Sequence, residues 1–172
     1  GKYCLPFETL SCIMKNIRRK TMNNLWNKQV QSTELLYYSR LESFNEITKN
    51  TFFKLLQVKE GMKILEVGCG GGTFCNIIKQ NFPTCKVYGI DLDTDHIEFA
   101  KKKAKELKVD VNYSVADINK LPFKNGEFDL VYSHTVVEHL PFKNFIKEQK
   151  RVLKKGGKIV IMRVFMEEKT ID

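Results

Sequence analysis

One run of residues, Glu66-Val67-Gly68-Cys69-Gly70-Gly71-Gly72, constrains this chain more than any other feature. An acid is followed by glycine at 68, 70 and 72. The run joins a short apolar stretch, Met62 to Val67, to one that fits a helix, Thr73 to about Asn81, with Phe74, Ile77 and Ile78 inward. Glycine lets backbone approach a ligand without a Cβ in the way and tolerates positive φ. A strand that turns through such a loop into a helix aims the helix N-terminal amides at the turn, where they can hold a carboxylate or a ribose edge.

The alternation continues downstream. Lys86 to Ile90 reads as a second strand, ending at Asp91. Asp93 or Thr94 can cap a helix through Leu107 that gathers Ile97, Ala100, Ala104 and Leu107 on one face. Val111 to Val115 is a third strand, and Phe128 to Ser133, after the Asn125-Gly126 turn, a fourth. Phe142 to Leu153 is a helix that Gly156-Gly157 ends, and Lys158 to Val164 is a fifth strand. Strands separated by helices imply parallel pairing through right-handed crossovers. The expected fold is α/β, an open three-layer sheet whose ligands bind at the carboxyl ends of its strands. Residues 1–58 carry no strand signal and are expected to form a helical cap segment on a core of residues 59–172, together one compact domain. Within the cap, Phe44, Ile47, Thr51, Leu55 and Val58 recur at helical steps, widened by Phe52, Phe53 and Leu56.

At 172 residues the chain suits one domain. No apolar run approaches the roughly 18 residues that span a bilayer, so no membrane partner is expected. Pro6 and Glu8 stand where a secretory leader would be apolar. Five cysteines without zinc spacing read as reduced thiols, which points to the cytoplasm. The net charge of +9 suits an acidic partner such as nucleic acid. Lysine-rich composition is the simpler explanation, and Lys101, Lys102, Lys103, Lys105 and Lys108 read as a solvated helix face.

Three carriers of chemistry follow the strands in order: the glycine run, Asp91 and Asp117. The run is not a dinucleotide fingerprint, because Thr73 stands where G-x-G-x-x-G needs its last small residue, and no Gly-Lys-Ser/Thr makes it a phosphate loop. An acid at Asp91 can accept from both hydroxyls of a ribose. Asp91, Asp93 and Asp95 do not make a calcium loop, since His96 and Lys102 occupy its sixth and twelfth positions, and no metal is expected. Asp117 can accept from an exocyclic adenine amine, or simply cap a turn.

The stretches ILEVGCGGG, VYGIDLD, VADINKLPF, FDLVYSHTVVEHL and LKKGGKIVI together resemble the class I S-adenosylmethionine-dependent methyltransferases, over about Met62 to Val164. The resemblance implies a Rossmann-like sheet in strand order 3-2-1-4-5, with S-adenosyl-L-methionine as cofactor and S-adenosyl-L-homocysteine as its product. Glu66 would orient the loop and the methionine amino group, and Gly68, Gly70 and Gly72 would line methionine and ribose, with Cys69 a small residue between them. Asp91 would hold the ribose hydroxyls and Leu92 would pack on adenine, which Asp117 and the Ile118 amide would read. Ser133 and His134 would lie near the sulfonium and the acceptor. The family sheet carries a sixth and a seventh strand that are expected to be missing here. Either the chain is truncated, or a partner such as a second copy of the chain covers the fifth-strand edge, Ile159 to Met162.

Methyl transfer from a sulfonium needs alignment and exclusion of water, and a base only when the nucleophile must lose a proton. His134, Glu138 and His139 are the candidate catalytic residues, and Tyr37, Tyr38 or Arg40 could meet the methionine carboxylate unless the tyrosines only staple this segment to the core. His96 reads as an exposed helix residue. The expected function is methyl transfer to a small-molecule acceptor. The alternatives are an RNA methyltransferase, disfavoured for amino methylation because Ser133-His134-Thr135-Val136 replaces an Asp/Asn-Pro-Pro-aromatic motif, and a non-catalytic cofactor-binding module.

Overall fold

Five parallel strands form one sheet in the order β3-β2-β1-β4-β5, the expected one, in a computed structural model that describes residues 33–134 and 142–162. In chain order the elements are α1 (Thr33–Glu42), α2 (Glu46–Leu56), β1 (Lys63–Val67), α3 (Thr73–Asn81), β2 (Lys86–Asp91), α4 (Thr94–Leu107), β3 (Val111–Val115), β4 (Phe128–His134), α5 (Phe142–Val152) and β5 (Leu153–Met162). β1 pairs with β2 from Lys63↔Lys86 to Val67↔Ile90, and with β4 on its other side. Among the described residues no helix is long and apolar enough to cross a membrane.

The central strands β1 and β4 are short and apolar because both their faces are covered. Ile64, Leu130 and Tyr132 pack with Phe52, Leu56, Phe74, Ile78, Ile97 and Ala100 on one face. Leu65, Val67, Val131 and Phe128 pack with Leu121, Phe145 and Val152 on the other. Alternation along β1 puts Glu66 on the first face, inside the core.

Three boundaries differ from the sequence pattern. The stripe from Phe44 to Val58 is not one helix: Asn45 caps α2, its Oδ1 accepting from the amides of Ile47 and Thr48, both at 3.0 Å. Phe44 lies before the helix and packs on the core, while Ile47 is 78% exposed and Leu55 is exposed. On α4 the cap is Asp93, and Ile97, Ala100 and Ala104 are buried, but Leu107 at the last position reaches the exposed rim. The Gly156-Gly157 pair does not end a helix. α5 stops at Val152, and β5 runs through both glycines as an irregularity, the pairing passing from Phe128↔Leu153 to Leu130↔Lys158. Gly156 is left-handed at φ 79°, so the detour closes there at little steric cost.

Tyr113 of β3 ties the sheet to the loop before α3. Its hydroxyl lies 3.0 Å from the Gly72 carbonyl and 2.9 Å from Asn76 Oδ1, one proton shared between two buried acceptors. Tyr113→Phe leaves both without that donor and is expected to cost about 1–2 kcal/mol, read as a lower urea midpoint at unchanged m-value. An unaltered midpoint would remove the hydroxyl from the account of this joint.

Candidate functional site

The carboxyl ends of β1, β2 and β4 and the segment after β3 open on one cleft of about 320 Å³, roofed by α1. Its wall is built from Leu36, Arg40, Gly68, Gly70, Asp91, Leu92, His96, Asp117, Ile118, Asn119 and His134. β1 and β2 are neighbours in register, so their ends bring the glycine run and Asp91 together. The amides of Gly68 and Cys69 both donate to the Ile90 carbonyl, at 2.8 and 2.9 Å, which bends the loop over the end of β2. Gly70 N then donates to Asp91 Oδ2 at 2.8 Å. Gly70 has φ 52°, and a Cβ there would come within 3.2 Å of Arg40 Nη1.

Asp91 is the most heavily coordinated carboxylate of the wall. Its Oδ1 also accepts from Asp93 N at 3.0 Å and lies 3.4 Å from His96 Nδ1. Burial alone would raise its pKa, but the contacts from His96, Asp93 and Gly70 outweigh burial and hold it below the usual carboxylate range. Asp117 Oδ1 accepts from Asn119 N at 2.8 Å and from Asn119 Nδ2 at 3.1 Å, so the turn role and the cleft position coexist. That turn is fixed from α5. Arg151 donates to the Leu121 and Phe123 carbonyls at 2.9 and 2.8 Å, and Glu148 accepts from Leu121 N at 2.8 Å.

His134 ends β4 with its ring 4.8 Å from that of Phe74. Burial, with the nearby Arg40 charge adding to it, pushes its pKa down to about 4, so the imidazole is neutral near pH 7. A group with that pKa is a weak base and serves better as a hydrogen-bonding partner. Beneath the loop, Glu66 is 0% exposed. Its Oε2 accepts from Cys75 Sγ at 2.9 Å and Tyr132 Oη at 2.8 Å, while Oε1 has no hydrogen-bond partner among the described residues. Burial pushes this carboxyl up to about 7, against the opposing effect of the Cys75 and Tyr132 contacts.

α1 brings Leu36 and Arg40 to the roof because an aromatic joint seats it on α4. Tyr37 is buried, edge-on to Tyr38 and Phe99 at centroid distances of 5.3 and 5.4 Å. Lys103 Nζ lies 3.0 Å from Tyr38 Oη and 5.3 to 5.9 Å from the three ring centres. The tyrosines therefore staple, and Arg40 of that segment reaches the cleft.

Of the residues singled out in the sequence, Gly68, Gly70, Asp91, Leu92, Asp117, Ile118 and His134 share the cleft wall. Glu66, Cys69, Gly72 and Ser133 are buried behind it. Glu138 and His139 lie outside the described residues. Leu36, His96 and Asn119 were missed. His96 is not a plain exposed residue, since it lines the cleft and faces Asp91, and its place in the first turn after the Asp93 cap was the available signal. Among the described residues no cluster of His, Cys, Asp and Glu suits a metal ion.

The acceptor chemistry of the wall fits an adenosyl group: a carboxylate for a diol, a second carboxylate beside a backbone amide for an amino-purine edge, and Leu36, Leu92 and Ile118 for its faces. A methyltransferase-domain family model matches residues 65–161. Phosphoethanolamine N-methyltransferase 3 of Arabidopsis thaliana is 32% identical over 156 residues, a match covering 74% of this chain and 31% of that protein. Demethylmenaquinone methyltransferase of Thermotoga maritima is 28% identical over 149 residues, covering 85% of this chain and 62% of that protein. Phosphoethanolamine N-methyltransferase 2 of Haemonchus contortus, solved in complex with S-adenosyl-L-methionine, superposes with a TM-score of 0.60 at 28% identity, covering 66% of this chain and 26% of that one. The chain spans about a third of the length of the first curated relatives it matches.

Proposed function

The chain belongs to the class I S-adenosylmethionine-dependent methyltransferase family, and on that premise we propose that its cleft binds S-adenosyl-L-methionine and that the protein transfers the methyl group to a small-molecule acceptor. The observation that carries this reading is the convergence of Gly70, Asp91 and Asp117 on one cleft. The small-molecule class is supported by relatives named for phosphoethanolamine and ubiquinone-biosynthesis methylation.

The cofactor supplies a methyl group already activated on a sulfonium, open to in-line displacement. The chain's own work is to bind, align and keep water out. Asp91 accepts from the ribose hydroxyls, its charge secured by its low pKa. Asp117 and the Ile118 amide would read the adenine edge, the exposed Leu92 would cover its face, and Arg40 would neutralise the methionine carboxylate from the roof. Beneath the glycine loop, Glu66 ties the first turn of α3, through Cys75, to β4, through Tyr132. His134, neutral and at the end of β4, orients an acceptor O–H or N–H by accepting its hydrogen bond.

Titration calorimetry tests the cofactor. S-adenosyl-L-methionine and S-adenosyl-L-homocysteine are expected to bind in the micromolar range, about −8 kcal/mol, and NAD not at all. Asp91→Ala is expected to weaken both by roughly 1–3 kcal/mol. Unchanged affinity in that variant would take Asp91 out of the site. Turnover with phosphoethanolamine and with phenolic acceptors tests the substrate class.

A further inference from the structure

His96 is the ionisable cleft residue that the proposed cofactor chemistry leaves without a task. It stands in the first turn of α4, which Asp93 Oδ1 caps by accepting from Asp95 N at 2.8 Å and His96 N at 3.4 Å. Its Nδ1 lies 3.4 Å from Asp91 Oδ1, and its side chain is 25% exposed at the cleft wall.

A carboxylate offers about four acceptor positions, two on each oxygen. Gly70 N takes one on Oδ2, and Asp93 N and His96 Nδ1 take both on Oδ1, so one position on Oδ2 is left. A ribose cis-diol brings two O–H donors. One protein donor must yield if both hydroxyls are to reach Asp91. The two amides belong to backbone that the loop and the helix cap hold in place. The imidazole makes the longest of the three contacts and sits on a rotatable side chain.

We propose that His96 is a removable cap on Asp91, which occupies an acceptor position that a nucleoside diol needs and is displaced when the ribose binds, shedding its proton to solvent. The inference rests on the reading of Asp91 as the ribose acceptor. The Asp91 contact holds the His96 pKa above its usual value against burial, Asp93 adds to the effect and Arg40 of α1 opposes it. Asp117 and His134 are the other ionisable groups of the cleft wall. Loss of the Asp91 contact returns the imidazole toward its ordinary value, so binding and deprotonation are linked and affinity rises with pH across the His96 titration.

The test is an NMR titration of the imidazoles from pH 5.5 to 8.5, in a chain with only three histidines, with and without saturating adenosine. Adenosine carries the diol but no amino-acid arm, and Glu66, which titrates in the same window, is common to the natural chain and the His96 variants and cancels from their comparison. The His96 midpoint is expected above 6.5 in the free protein and lower by at least about half a pH unit with adenosine, which corresponds to about threefold tighter binding at the high-pH limit. Saturating 2′,3′-dideoxyadenosine, which lacks the diol, should leave the midpoint in place. His96→Ala and His96→Leu should bind adenosine more tightly than the natural chain at pH 5.5 and equally at pH 8.5. A midpoint that rises or stays fixed on binding, or variants weaker at pH 5.5, overturns the cap. If S-adenosyl-L-homocysteine binds while His96 does not respond, this inference alone fails. If neither nucleoside binds, the cofactor reading fails with it.

Discussion

Replacing Glu66 by Gln is expected to remove one contribution, on the order of 3 kcal/mol, that lowers the stability of the natural chain as the pH rises from about 4.5 to 8. The sign follows from the direction of the shift. Below 4.5 the carboxyl is protonated in folded and unfolded chains alike, and no difference arises. Between 4.5 and about 7 the unfolded chain gives up the proton while the folded chain keeps it, so stability falls with pH. Above 7 the folded chain holds a buried carboxylate with two donors on Oε2 and none on Oε1 among the described residues, and the penalty is complete. From 4.5 to about 7, at about 1.4 kcal/mol for each pH unit, the loss comes to roughly 3 kcal/mol.

His134 works in the opposite sense over much of the same range. Its pKa is lowered to about 4 by burial and Arg40, so the unfolded chain binds the extra proton and stability rises with pH up to the ordinary histidine value. The two effects offset one another in the natural chain. The quantity to measure is therefore the difference in urea-unfolding free energy between Glu66→Gln and the natural chain, pH by pH. A difference that stays level from pH 4.5 to 8 would mean that the carboxyl titrates normally and that water reaches it.

Gly72→Ala is the second large effect, a destabilisation of about 3 kcal/mol or more. Two costs add. Gly72 has φ 79°, where an L side chain pays about 1–2 kcal/mol. A Cβ there would also come within 2.7 Å of Tyr113 Cζ and 2.9 Å of Ala100 Cβ, contacts with a β3 ring and a helix that the core does not let move. Gly61→Ala separates the two terms. Its φ is 78°, with no heavy atom within 4 Å of the added methyl, so it should lose only the backbone cost. Tyr113→Phe combined with Gly72→Ala should be less damaging than the sum of the two single changes, because the hydroxyl that the methyl meets is gone. Equal losses at positions 61 and 72 would show that crowding under the loop is not what requires glycine.

The fold was legible because the strand segments are bounded by turn chemistry, and because helices separate the consecutive strands except β3 and β4, which leaves parallel pairing as the way to bury them. Asp91 and Asp117 were legible for a related reason: Asp91 ends β2 and Asp117 stands two residues after β3, and parallel strands put such positions at one edge of the sheet. Residues that reach the cleft through a helix were harder to read. His96 stands five residues after Asp91, and only the Asp93 cap turns it back toward that carboxylate. Leu36 depends on α1 being seated by Tyr37, Tyr38, Phe99 and Lys103, groups distant in sequence that meet only once the layers pack.

By itself, then, the sequence determined the order of the elements, the glycine loop between β1 and α3, and the acids that end the strand segments, since these depend on local periodicity and on side-chain types at fixed offsets. The tertiary structure alone decided which of those residues face the cleft and which lie behind it. Glu66 and Gly70 are four residues apart, yet one is a buried acid beneath the loop and the other lines the cleft. The difference arises because strand alternation turns Glu66 into the layer of α3, whereas the Gly70 amide points at a carboxylate delivered by the neighbouring strand. Burial against those neighbours also set the protonation of Glu66 and His134, because desolvation belongs to the packed surroundings and not to the residue.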